Sequence, residues 1–156
     1  MGTGLLTVRN SLQKLLKEAF EGPEKEEIYF TDPGPSAGLM NTIERINARE
    51  ASMILSSSQA SIAAHVHHTL YHLQVTNASL LEEDRQVDWS LSWKIREVDE
   101  GTWQAFKSQL KEEYENFSHT LDTIDWTEKQ TVSASAAIAH CAYHLGSLKQ
   151  LIAQLP

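Results

Sequence analysis

Apolar residues recur at three- and four-residue spacings through four long stretches of this chain. In Leu5 to Phe20, Leu5, Val8, Leu12, Leu15, Leu16 and Ala19 mark one stripe, with Arg, Lys, Gln and Glu on the other positions. This predicts a first helix over Thr3 to Phe20, stopped by Gly22-Pro23. In Gln59 to Leu80 the stripe is Ile62, Val66, Leu70 and Leu73. In Thr102 to Leu121 it is Trp103, Phe106, Leu110, Tyr114, Phe117 and Leu121. The last stretch, with Thr127 placed to cap it, runs to about Gln154 and contains the segment AAIAHCAYHLGSLKQLIAQL, Ala136 to Leu155.

Between these stretches the pattern changes. Glu21 to Gly38 carries Pro23, Pro33, Pro35, Gly34 and Gly38, which rule out a continuous helix. Ile28, Tyr29 and Phe30 form an apolar cluster in it, suited to packing over one end of the molecule. Leu39 to Leu55 predicts a short helix or two helical turns, with Asn41 as cap, and Ser56-Ser57-Ser58 then interrupts the chain and offers a hydroxyl cap for the next helix. Leu81 to Gly101 is acidic and aromatic, and reads as a loop with a short extended piece before a helix that starts after Asp99.

Four long amphipathic helices with one long first connection predict an all-α four-helix bundle, a single domain over residues 1–156. The first-to-second connection is long enough to cross the bundle. The Asp122 to Trp126 turn is short, which predicts that the last two helices are antiparallel neighbours.

Composition narrows the function classes. The net charge of −8 argues against a nucleic-acid groove or an anionic membrane surface, and mildly favours a cation. One cysteine, Cys141, permits no internal disulfide and suits a reducing cytosol, so a cytoplasmic protein is expected. No basic segment followed by an apolar run opens the chain, and no apolar run is long enough for a bilayer, so neither a signal peptide nor a membrane span is expected.

The histidines change the picture most. His140 and His144 stand one turn apart in the last helix, and residues at i and i+4 share a face. The second helix offers His65, His68 and His72 as another stripe, while His67 is rotated by about 100° from His68 and is expected to face solvent. A bundle core can host a metal built from inward side chains of facing helices. Three neutral imidazoles with open positions suit Zn²⁺, Ni²⁺ or another borderline divalent ion. Spacing alone does not choose among His65, His68 and His72. Cys141 lies about 100° off the His140–His144 face and reads as a small buried apolar residue, not a ligand. Haem is disfavoured because no c-type attachment motif occurs, and a carboxylate di-iron site because no Glu-x-x-His pair occurs.

On these residues the chain resembles the DinB/YfiT-like superfamily of metal-dependent bundle proteins. IAHCAYHLGSLKQL resembles the family's C-terminal signature, SIAAHVHHTLYHL (Ser61 to Leu73) its second-helix signature, and DWSLSWKIREVDEGTW (Asp88 to Trp103) the aromatic linker of one branch. The resemblance runs from about Leu39 to Leu155. It implies an up-down-down-up bundle in which His68, His140 and His144 hold one divalent ion. It leaves His65 and His72 to donate hydrogen bonds behind the ligands, to line a pocket, or to take the place of His68. Some relatives transfer low-molecular-weight bacterial thiols or act as thiol-dependent isomerases, and relatives dimerise, so a homodimer is expected here.

Two functions follow as expectations. One is a metal-dependent thiol transferase or hydrolase acting on a small molecule. Substrate would enter where the 21–38 and 81–101 connections meet, with Trp89, Trp93, Tyr29 and Phe30 as pocket walls. No Asp or Glu of the second or fourth helix stands one turn from these histidines, so no general base is named. The other is a non-catalytic metal-binding or stress-response protein, in which the ion only stabilises the fold.

Overall fold

The structure is a computed structural model, and it describes residues 2–55 and 58–156. The described residues are all-helical, with no strand. Four long helices, α1 (Gly2–Glu21), α4 (Ile62–Leu80), α5 (Glu100–Thr123) and α6 (Glu128–Ile152), are joined by two short ones, α2 (Leu39–Ile43) and α3 (Ala48–Ala51). A 3-10 helix, Trp89–Trp93, sits in the connection between α4 and α5. None of the described helices is long and apolar enough to cross a membrane.

The long helices start where a side-chain oxygen can take an orphan backbone N–H. Ser61 accepts from Ala64 N, Asp99 from Thr102 N, and Thr127 from Gln130 N. The cap expected from Ser56-Ser57-Ser58 is therefore supplied by Ser61. Ser56 and Ser57 lie outside the described residues, and the Ser58 hydroxyl is engaged with the backbone of Ala60. Asn41 does not cap α2. Its Nδ2 donates to the carbonyls of Glu21 and Ala37, tying α2 to the end of α1, while Gly38 occupies the cap position. The box cap falls on α3 instead, where Asn47 and Glu50 satisfy each other's backbone N–H.

The apolar stripes meet in one cluster. Leu12, Leu16 and Phe20 of α1, Val66, Leu70 and Leu73 of α4, Leu110 and Phe117 of α5, and Leu145 and Leu148 of α6 are all buried in it. α4 packs mainly on α6 and α5, and α1 packs on the same two helices. The short α5–α6 turn does not make these two helices packed neighbours, contrary to the sequence-based expectation. Each lies between α1 and α4, and they touch one another little. A four-residue connection in extended form reaches about 13 Å. That exceeds one interhelical distance of about 8–10 Å and approaches a diagonal. Ile124 leaves the helix in extended conformation and, with Trp126, packs against the core, so the turn spans the end of the core.

The 22–38 connection folds back on α1. Gly22 and Gly38 both have positive φ, and a Cβ on Gly38 would stand 2.3 Å from Gly22 N, so the two ends of the loop meet where only glycine fits. The middle is held by a buried carboxylate. Glu18, 2% exposed, accepts from the backbone N–H of Tyr29, Phe30 and Thr31 and from the Thr31 hydroxyl. Burial pushes the Glu18 carboxyl up, but these donors outweigh it and hold it below its ordinary value. The side chains of Ile28, Tyr29 and Phe30 stay exposed, so it is the backbone of this cluster that docks.

Candidate metal centre

α4 carries its apolar residues toward α5 and the core and turns His65, His68 and His72 toward α6 and the 3-10 helix. α6 answers with His140 and His144. Nε2 of His68 lies 3.1 Å from Nε2 of His140, which lies 3.1 Å from Nε2 of His144. One ligand atom from each of the three falls within 4.8 Å of the others, a grouping that could hold a metal ion. With metal–nitrogen bonds of about 2.0–2.1 Å, nitrogens sharing an ion stand about 3.3 Å apart at a tetrahedral angle and about 2.9 Å apart at a right angle. The His68–His140 and His140–His144 separations, both 3.1 Å, lie between these values.

The far sides of the rings define their roles. His68 Nδ1 lies 3.0 Å from the Ser92 hydroxyl, and that hydroxyl donates to the Trp89 carbonyl at 2.8 Å. His144 Nδ1 lies 3.0 Å from His65 Nδ1, so one of the two donates to the other. His140 Nδ1 is buried without a hydrogen-bond partner, and its ring stacks on His72 at 3.7 Å between centroids. Trp93 stacks on His68 at 4.0 Å and 16° between planes, and Trp89 approaches His72 at 5.6 Å. Thus His65, His72, Trp89 and Trp93 each touch a member or neighbour of the cluster. His144 is buried, whereas His68 and His140 are half-buried, so the group is not sealed.

Other expected residues fall elsewhere. Tyr29 lies over α1, beside Lys14 and Lys17. Phe30 borders the face of α6 bearing Ala142, Gly146 and Lys149, on the side of the helix away from His140 and His144. Neither borders the histidines as a pocket wall. His67 is not turned to solvent. Its Nδ1–H donates to the Ser92 carbonyl at 3.0 Å, and its ring packs near Phe106 of α5. The 3-10 helix explains this, because it stands where a loop with an extended piece was expected. Asp88 caps it by accepting from Ser90 N, and one tight turn presents both the carbonyl and the hydroxyl of Ser92 to α4. Ser92 and Tyr143, which meets His144 edge-on at 5.1 Å, were not readable from the sequence. A serine between tryptophans in a polar connection has no periodicity to mark it. Cys141 is buried and turned away from the cluster's hydrogen-bond network, and burial pushes its thiol up to about 12.

Burial, then repulsion from neighbouring imidazoles, holds the ligand histidines low: His68 and His144 to about 4, His140 to about 3. All three are therefore neutral, the form that binds a cation, well below pH 7. The unfolded chain takes up protons below about pH 6.5, whereas the folded chain refuses them. Stability of the metal-free protein is thus fully present above about pH 6.5 and falls as pH drops toward 4. Urea midpoints measured at a series of pH values should decline through that window and flatten when His68, His140 and His144 are all replaced by alanine. A wild-type midpoint that stays level from pH 7 to pH 5 would contradict the buried neutral cluster.

Comparisons of the chain with protein-family models, with curated proteins and with solved structures found no match.

Proposed function

We propose that this protein is a DinB/YfiT-like four-helix bundle, up-down-down-up, that holds one divalent ion, zinc or nickel, on His68, His140 and His144. On this reading it is a metal-dependent enzyme of thiol-transfer or hydrolytic type. The observation that carries it is the convergence of three neutral imidazole nitrogens, two of them on half-buried rings, with a hydrogen-bonding group behind His68 and another behind His144. An ion with open positions would supply Lewis acidity there and lower the pKa of a thiol or water bound to it. The chain's own part is to hold three neutral ligands and to wall the site with aromatic faces. Trp93 covers His68, and Tyr143 and Trp89, both exposed, flank the cluster. Such walls suit a small substrate with an apolar group, and a low-molecular-weight thiol fits as co-substrate. A homodimer, a cytoplasmic setting and the absence of a nucleic-acid partner belong to the same proposal.

A second reading has its own support. Among the described residues, no carboxylate hydrogen-bonds to any of the three ligands, so no carboxylate general base is in place. That favours a non-catalytic metal-binding or stress-response bundle. The test is protein purified without immobilised-metal resin, analysed for bound metal and then assayed for thiol consumption with a panel of electrophiles and for ester and amide hydrolysis. One equivalent of metal with turnover is expected. Metal without turnover of any kind transfers the assignment to the non-catalytic reading. Less than about a tenth of an equivalent, even after incubation with Zn²⁺, rejects both.

A further inference from the structure

The 81–99 connection is more than a tether. It crosses α4 and is pinned at several points: the Asp88 N–H donates to the Tyr71 hydroxyl, the Ser92 carbonyl accepts from His67, and the Arg96 carbonyl accepts from the Ser61 hydroxyl. At its centre Ser92 is 1% exposed, a serine buried on a strap that is otherwise largely exposed. Burying a hydroxyl is unfavourable unless its hydrogen bonds are met. Here they are met in one direction only. The Trp89 carbonyl can only accept, so the single hydroxyl proton of Ser92 goes to it. The contact with His68 is then a hydrogen bond only if His68 Nδ1 carries the proton and donates it to the Ser92 oxygen.

We propose that Ser92 is a positioning residue that fixes His68 as its Nδ1–H tautomer, so that Nε2 faces His140 and His144 as a bare lone pair. This rests on the reading of the cluster as a divalent-ion site for its purpose, but not for its geometry. Stacked Trp93 holds the ring plane while Ser92 chooses the nitrogen, so one turn of 3-10 helix controls both orientation and tautomer. An oxygen that receives the free N–H of a ligating imidazole raises the ligand's basicity, and loss of such a partner typically weakens metal binding by about 10- to 100-fold.

Two measurements on the whole chain test this. The first is the long-range ¹⁵N–¹H spectrum of metal-free wild-type protein, at a pH where His68 is neutral. It should show the proton of His68 on Nδ1. A proton on Nε2 overturns the proposal, whether or not the protein binds any ion. The second is Co²⁺ affinity by competition with a chelator, together with the ligand-field spectrum. Ser92→Ala should bind about 10- to 100-fold more weakly with an altered spectrum, and Ser92→Thr, which keeps the hydroxyl, should recover most of the loss. Circular dichroism identifies a variant that has failed to fold, in which case the wild-type tautomer decides alone. Folded Ser92→Ala with wild-type affinity and spectrum overturns the positioning role. A wild-type protein that holds His68 in the Nδ1–H form yet binds no Co²⁺ overturns the metal reading and leaves the tautomer assignment standing.

Discussion

His140→Ala and His144→Ala should each lower affinity for a divalent ion by more than about 100-fold, beyond the range expected for a residue that only orients a ligand. Each removes one of three converging nitrogens, and among the described residues no other His, Cys, Asp or Glu is grouped with those three closely enough to hold an ion. His68→Ala should behave alike. His65→Ala should act more mildly, because it removes the partner of His144 Nδ1 and not a ligand. His119→Ala, on the exposed face of α5, serves as the silent control. The ion's contribution to stability should follow the same order. At a thousandfold excess over Kd, binding adds about 4 kcal/mol, which raises Tm on the order of 10 °C in a chain of this size. Isothermal titration of chelator-treated protein and thermal melts with and without Zn²⁺ check both. Equal affinity in wild type and His140→Ala would remove the site.

Trp103→Ala should give the largest loss of stability of any single substitution outside that site. Trp103 is fully buried on α5, and its Nε1 donates to the Ile46 carbonyl at 2.5 Å in the short link between α2 and α3. Truncation leaves a cavity, which costs about 3–5 kcal/mol. It also strands the Ile46 carbonyl, at a further cost of about 1 kcal/mol or more. At about 2–4 °C per kcal/mol, Tm should fall by roughly 10–20 °C. Trp103→Phe keeps the ring but not the donor, and should lose less than half as much. Urea unfolding followed by circular dichroism separates the two terms. A shift of under about 1 kcal/mol for Trp103→Ala would mean that the α2–α3 segment does not depend on this anchor.

The parts of the fold that could be read in advance were those governed by period. Four long helices emerged from the 3.6-residue spacing of Leu12, Leu16, Val66, Leu70, Leu110 and Leu145 because each is long enough for its stripe to dominate. His140 and His144 were visible for the same reason. His68 was not separable from His65 and His72 by spacing, since all three share the face that meets α6, and the resemblance pointed to it. What escaped was set by contacts remote in sequence. Glu18 looked like one more polar position on a surface face, and only the returning loop buries it. Asn41 had the right chemistry for a cap but is drawn to carbonyls at the end of α1. The α5–α6 connection bounded how far apart the two helices can be without stating that they pack together. Ser92 depends on a turn whose aspartate and tryptophans cooperate over six residues, Asp88 to Trp93, too short for any periodic signal.

Cys141 has one more meaning. It is the only thiol in the chain, and it lies fully enclosed one residue from His140. A thiol so placed does not report on redox conditions, because reagents reach it only when α6 separates from the core. The protein thus carries its own clock for local opening. The rate at which a small alkylating reagent modifies the native chain measures how often the helix holding His140 and His144 comes free. A ligand gripping those two side chains would slow that clock even if it changed no other observable.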